Sequence, residues 1–166
     1  YLDAIRKGKI EYLTGYANSV WLLAKYGLDQ NLTKIKLKAV ITSSEQLSKE
    51  MRRDLTSFFG CKVYDSYSGI EACGLISECG FGKLHWSPDV GILETIPQNT
   101  IEKDIQELVC TGLLNFDQPL IRYRIGDMIS INKNVNCECG ISFPIIDEIV
   151  GRTDDLVTLK DGRRLG

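Results

Sequence analysis

A chain of 166 residues, 43% hydrophobic and 25% charged, with a formal net charge of −2, is long enough to bury a core and lacks the basic excess that a nucleic-acid or anionic-membrane surface requires. No apolar run approaches the roughly 20 residues needed to cross a bilayer, so no membrane span is expected. Six unevenly spaced cysteines, with no signal peptide ahead of Tyr1, point to reduced thiols in a cytoplasmic setting rather than to a disulfide framework.

The chain lacks an initiator Met, opens inside a helical pattern and stops at Leu165-Gly166 just after a charged turn, so both ends are expected to be cuts in a longer protein. Residues 1–13 predict a helix or its remnant. Val20, Trp21, Leu23 and Ala24 set a helix over Asn18–Tyr26, with Gly27 as its C-terminal cap. Lys36–Thr42 predicts a strand. Ser43 or Ser44 can cap the next helix, Gln46 standing at capping-box distance from Ser43. Leu47, Met51, Leu55, Phe58 and Phe59 line one face of that helix, Gly60 ends it, and the strand Cys61–Tyr64 follows. Lys7, Lys9, Lys34, Lys36 and Lys38 are scattered over these elements as a solvated face.

Such an α-β-α-β alternation predicts an α/β fold, a partial parallel sheet with covering helices, and places ligands at the carboxyl ends of the strands. After Trp86 the pattern changes. Val90–Ile96, Gln106–Thr111, Ile121–Ile125, Met128–Ile131 and Ile145–Val150 predict short strands, with a polar hairpin loop over Pro97–Lys103. This half is expected to be a small antiparallel, β-barrel-like lobe. The resulting organisation is an α/β lobe over 1–86, a β lobe over 87–150 and a hinge segment over 151–166.

Chemistry concentrates in a few stretches. Cys61–Tyr64 runs into a Ser/Gly-rich turn, Tyr67-Ser68-Gly69-Ile70-Glu71, that suits a nucleotide and ends on an acid suited to magnesium. In Pro119–Asp127 (PLIRYRIGD), apolar Ile121, Tyr123 and Ile125 alternate with Arg122 and Arg124. Gly126 then allows a tight turn with Asp127 at its tip. That carboxylate either accepts hydrogen bonds from vicinal hydroxyls, as on a ribose, or merely closes a hairpin. Gly151–Asp155 (GRTDD) offers Arg152 to a phosphate and paired acids to a hinge, or else is a surface turn with a salt bridge. Cys79 and the only histidine, His85, together with Cys137 and Cys139, make a Cys3His set suited to tetrahedral structural zinc, against bystander thiols and a core histidine. Cys61, Cys73 and Cys110 sit in core-like contexts as small apolar residues.

Taken together, Tyr67–Glu71, Arg122–Asp127 and Gly151–Asp155 follow the order and spacing of the adenylate-forming superfamily, which the chain resembles from about Tyr12 onward. The stretches SECGFGKLHW and PLIRYRIGDM look most like the phenylacetate–CoA ligase branch and its relatives in capsular polysaccharide biosynthesis. The resemblance implies ATP or AMP, Mg2+ and coenzyme A as cofactors, a small-molecule carboxylic acid as substrate, and formation of an acyl-adenylate that a thiol then takes over. Residue by residue it implies Tyr67 beside the adenine and Glu71 as the catalytic carboxylate on the magnesium. It further implies Ser68, Gly69 and Ile70 along the nucleotide, and the Ser44-Glu45 backbone near the adenine. Asp127 would lie on the ribose hydroxyls, Arg152 on the ribose or phosphate, Arg164 in the turn beyond, and Asp154 at the hinge. Members of this branch also carry a zinc site of the kind seen here, which implies structural Zn2+ at Cys79, His85, Cys137 and Cys139.

Two positions depart from the family pattern: Ser68 stands for Gly, and Ile70 stands where a hydroxyl residue is common. No Gly-rich phosphate loop of the Ser/Thr/Gly-Lys kind occurs, and the C-terminal domain with its catalytic Lys is not in these residues. The 166 residues are therefore expected to be inactive alone, with N- and C-terminal parts of the parent chain as partners and a homodimer left open. The alternative is a non-catalytic, zinc-stabilised nucleotide-binding or scaffold module in polysaccharide or lipid assembly.

Overall fold

A computed structural model describes residues 1–97, 105–131, 136–153, 157–158 and 164–165. The chain divides into two compact units, Tyr1–Tyr67 and Ser68–Gly166.

In the first unit α1 (Leu2–Lys7) leads into β1 (Tyr12–Tyr16), α2 (Ala17–Asp29), β2 (Ala39–Ser43), α3 (Lys49–Phe59) and β3 (Lys62–Ser68). Strands β1, β2 and β3 pair parallel in sequential order, Leu13 opposite Val40 and Val40 opposite Val63. Two successive crossovers of the same hand put both connecting helices on one face of such a sheet. Val20 and Ala24 of α2 and Leu55, Phe58 and Phe59 of α3 accordingly bury against Val40 and Val63 in one cluster. Removing that apolar surface from water, at about 25 cal/mol per Å2, is the main term holding the unit together.

The expected α/β character holds, with local corrections: α2 runs on through Gly27, which does not cap it, to Asp29 with Gln30 as the cap. The helix predicted over residues 1–13 ends at Lys7 with Gly8 as its cap, and Tyr12–Tyr16 forms a further strand of alternating exposure. The helix predicted to be capped by Ser43 or Ser44 is capped by Ser48, whose hydroxyl accepts the Met51 N–H at 3.1 Å. Ser43 still belongs to β2, and Ser44 is left-handed at φ +65°, whereas an N-cap needs an extended backbone. The strand after α3 runs on to Ser68, so Tyr67 and Ser68 belong to β3 rather than to the turn.

In the second unit β4 (Leu75–Glu78), β5 (Leu84–Trp86) and the short β9 (Ile145–Ile146) pair antiparallel. A separate antiparallel sheet has the order β10-β8-β7-β6, built from β6 (Gly91–Pro97), β7 (Ile105–Gly112), β8 (Tyr123–Ser130) and β10 (Glu148–Arg152). Among the described residues it is an open sheet and does not close into a barrel. Backbone alone is described for the pair β11 (Val157–Thr158) and β12 (Arg164–Leu165). Trp86, Ile76, Cys73, Leu108, Cys110 and Ile129 are buried, and the Trp86 indole donates to the Gly91 carbonyl at 2.8 Å.

Three further corrections arise here. The β4–β5 hairpin was not anticipated. The two strands expected at 121–125 and 128–131 are one, β8, with no turn at Gly126. The run 145–150 splits at Asp147 into strands of two different sheets. Most of the loop expected over Pro97–Lys103 lies outside the described residues. No helix among the described residues is long and apolar enough to cross a membrane.

The cap assignment is checked by chemical denaturation. Ser48→Ala is expected to lower stability by about 1 kcal/mol, while Ser44→Ala leaves helix α3 unaffected.

Candidate functional site

In the first unit the loop after β2 presents Ser44 and Glu45, both exposed. The Glu45 carboxylate accepts the Asn18 N–H at 2.8 Å in the first turn of α2, whose own cap residue, Tyr16, supplies no side-chain bond. Its negative charge there complements an orphan donor and the positive end of the helix. On β2 itself, the buried Thr42 hydroxyl lies 3.3 Å from the Asp65 carboxylate and from the Tyr64 carbonyl of β3. Tyr67 is half-buried near the end of β3.

In the second unit the three sequence motifs meet. The turn after β3 closes with the Ala72 N–H on the Gly69 carbonyl at 3.1 Å. Glu71 folds back over Gly69 so closely that a Cβ on Gly69 would stand 2.5 Å from the Glu71 Oε2 and 2.9 Å from the Ile125 Cδ1. Only a glycine leaves the carboxylate there. The Tyr123 hydroxyl donates to the other Glu71 oxygen at 3.4 Å. Ile70 is fully solvent-exposed and Ser68 exposed.

Along β8, Gly126 takes φ +83°, and a side chain added there would come within 3.3 Å of the Arg152 guanidinium. Asp127 is opposite Arg152 in the register of β8 and β10, their side chains 3.7 Å apart and the carboxylate only 13% exposed. Asp127 therefore does not sit at the tip of a hairpin turn, as its sequence predicted, but within a continuous strand beside a bulge. Strand β8 thus carries two separate polar pairs, Tyr123 with Glu71 and Asp127 with Arg152. Asp154 lies outside the described residues, and Arg164 falls in β12, where only the backbone is described.

Two groups in this cluster were missed by sequence reasoning. One is Tyr123, whose alternation with Arg122 and Arg124 was the available signal. The other is the pair Glu107 and Arg124. Glu107 is 3% exposed and takes both Arg124 nitrogens, at 2.7 and 2.6 Å. The bidentate Arg124 guanidinium, with burial opposing it, holds the Glu107 carboxyl below its ordinary range.

A second cluster in the same unit is the predicted Cys3His set. The donor atoms of Cys79, His85, Cys137 and Cys139 all lie within 4.8 Å of one another. Cys79 opens the β4–β5 turn, whose Gly82 is left-handed, and His85 is buried on β5. The Cys79 and Cys137 sulfurs are 3.6 Å apart, and the Cys139 sulfur is 3.5 Å from the His85 Nε2. Bonds of about 2.3 Å to sulfur and about 2.0 Å to nitrogen at tetrahedral angles give edges of about 3.8 and 3.5 Å, so these spacings fit tetrahedral zinc. His85 Nδ1 lies 3.3 Å from the Phe143 carbonyl, which turns Nε2 toward the sulfurs. In the Cys-Gly-Phe and Cys-Gly-Ile segments the N–H two residues on, from Phe81 and Ile141, donates to the cysteine sulfur at 3.4 Å. Burial pushes the Cys79 thiol up, but backbone hydrogen bonds at Lys83 and Phe81 and the contacts of Cys137 and His85 outweigh it and bring it down to about 6. A thiolate is the form that binds metal. By contrast Cys73 and Cys110 are fully buried, and burial raises both thiols.

No family model matches the chain. Protein CapK of Staphylococcus aureus is 28% identical over 162 residues, 97% of this chain and 35% of that protein. A 2-hydroxyisobutyryl-CoA ligase solved in complex with 2-HIB-AMP and CoA is similar to 99% of this chain over 41% of its own length, with a TM-score of 0.77 and 20% identity. A long-chain-fatty-acid-CoA ligase from Archaeoglobus fulgidus covers 90% of this chain with 36% of its own length, at a TM-score of 0.62 and 14% identity. The chain thus spans between about a third and two fifths of the length of these proteins and shares the fold of the matching part of the CoA ligases, as the sequence resemblance implied.

The lowered Glu107 carboxyl makes a pH prediction. Its stabilising contribution is complete above its ordinary value of 4.5 and is lost as the pH falls through its lower folded-state value. Thermal melting should fall more steeply on acidification below 4.5 in the wild-type protein than in Glu107→Gln.

Proposed function

We propose that this chain supplies the nucleotide-binding part of an AMP-forming carboxylate–CoA ligase of the phenylacetate–CoA ligase and capsular-polysaccharide branch, acting in the cytoplasm. The observation that supports it most is that strand β8 engages a member of each of the other two motifs: Tyr123 bonds Glu71, and Asp127 pairs with Arg152. The fold shared with acyl-CoA ligases and the similarity to CapK agree with it.

Glu71 offers one carboxylate oxygen to a magnesium ion while Tyr123 orients the group from the other oxygen. Magnesium bound there would offset the repulsion between a substrate carboxylate and the phosphates of ATP. Asp127 accepts from the ribose hydroxyls, Arg152 lies by the ribose or phosphate, and Tyr67 and the Ser44-Glu45 backbone lie by the adenine. The substrate carboxylate oxygen attacks the α-phosphorus; the bond to the β-phosphate oxygen breaks and pyrophosphate leaves with its electron pair. A thiol sulfur then attacks the acyl carbon and gives up its proton, the acyl C–O bond of the mixed anhydride breaks, and AMP departs with the oxygen that came from the substrate carboxylate. Asp154 serves as the hinge for the second step. Cys79, His85, Cys137 and Cys139 would hold a structural zinc, the four protein donors being the number that a closed tetrahedral site takes.

A second reading is a non-catalytic, zinc-stabilised nucleotide-binding module. Its support is Ile70, whose fully exposed side chain cannot bond a phosphate from the position where a hydroxyl is common.

Carboxylate-dependent ATP–pyrophosphate exchange by the full-length parent protein, over a panel of aryl, fatty and sugar acids, separates the two. Exchange with one acid, falling about tenfold or more in Asp127→Ala and Glu71→Ala, is the expected outcome. AMP binding without exchange for any acid would move the assignment to the non-catalytic module.

For the metal, elemental analysis should give about one zinc per chain, lost together with thermal stability in the Cys137→Ser/Cys139→Ser variant. A metal-free protein of unchanged stability would end the zinc assignment.

A further inference from the structure

Strand β8 changes register against β7 in its middle. Met128 is opposite Glu107, but Arg124 is opposite Val109, so the three residues Ile125, Gly126 and Asp127 stand against Leu108 alone. On the other side β10 also shifts, between Ile149 and Gly151. The bulge thus lies where both neighbouring strands slip, and Gly126 bends at φ +83° within it. A bulge re-aims the side chain beside it. Here that side chain is Asp127.

Glu107 and Arg124 lie on opposite sides of this slip, one in each register. Their two hydrogen bonds, at 2.7 and 2.6 Å, join the registers directly across it. The acid is buried at 4% side-chain exposure, while the guanidinium covers it from solvent at 65%. A buried carboxylate gripped by both arms of a planar fork fixes distance and angle together, which a single point contact cannot do. Just before this strand, Arg122 meets Glu94 with its Nε alone, at 3.2 Å, on the exposed surface.

We infer that the Glu107–Arg124 pair is a positioning device for the nucleotide: it clamps the β8 bulge and so sets where the Asp127 carboxylate points. This rests on the reading of Asp127 as the ribose acceptor. Neither Glu107 nor Arg124 touches the ligand, and their effect reaches it only through Asp127.

The test is calorimetric binding of AMP and of 2′,3′-dideoxy-AMP, which lacks the hydroxyls Asp127 would accept. The proteins compared are wild type, Asp127→Ala, Glu107→Gln and Arg124→Lys. Glu107→Gln keeps the shape and a hydrogen bond but loses the charge; Arg124→Lys keeps the charge but loses the fork. Wild type is expected to prefer AMP by about tenfold or more, as for a hydrogen bond to a charged group. Both clamp variants should lose most of that preference, with affinity for the dideoxy nucleotide unchanged. Arg124→Lys serves alone if Glu107→Gln does not fold. Full preference retained in a folded clamp variant, or equal loss for both nucleotides, would overturn the positioning role while Asp127→Ala still reports on the ribose. Preference unchanged in Asp127→Ala, or absent in wild type, would instead remove the ribose reading and the clamp with it.

Discussion

The second unit depends on one backbone constraint, the positive φ of Gly126 in the middle of a strand. A continuous strand alternates its side chains strictly, and the two-residue slip against β7 returns them to the faces they had before it. Positive φ at Gly126 absorbs the extra length locally, so that Ile125, Met128 and Ile129 all remain buried. Glycine is needed twice over, since any side chain would stand 3.3 Å from the Arg152 guanidinium. The acid that follows is held among charged neighbours instead of facing water.

Much of the candidate site was legible in the sequence because its chemistry is carried by residue types at short spacing. Gly69 before Glu71, Asp127 after Gly126, and a Cys-x-Cys pair with a single Cys/His pair are local patterns, and all four metal donors do converge. What was not legible depends on pairing between distant segments. A Gly-Asp step between two apolar runs looks like a hairpin turn, and only the registers of β7 and β10 show it to be a bulge. The buried Glu107 looks like any surface acid until Arg124, 17 residues away, closes over it. Ser43 and Ser44 resemble helix caps because their backbone conformation is invisible in the sequence. The strand at Tyr12–Tyr16 was hidden by aromatic residues that fit a helix as readily.

The two units use opposite strategies around their polar residues. The first hangs its loops on helix ends: Glu45 supplies the cap that Tyr16 does not, and the amides of Ile35 and Leu37 take the last carbonyls of α3 at 3.3 and 3.0 Å. Its fixed points are backbone donors and acceptors. The second relies on side chain to side chain bonds, Tyr123 on Glu71, Arg124 on Glu107 and Arg152 on Asp127. Those geometries answer to protonation and to salt far more than a backbone ladder does.

The six cysteines divide along similar lines, with a consequence for how the molecule ages. Cys73 and Cys110 are sealed in the core with their thiols raised, so peroxides and alkylating agents meet little reactive sulfur there. Cys79, lowered to about 6 and partly exposed, carries more thiolate than the two sealed cysteines. Chemical wear would reach the β4–β5 turn before the packed interior and climb from sulfenic acid upward. A metal seated on those sulfurs would act as a preservative as well as a brace.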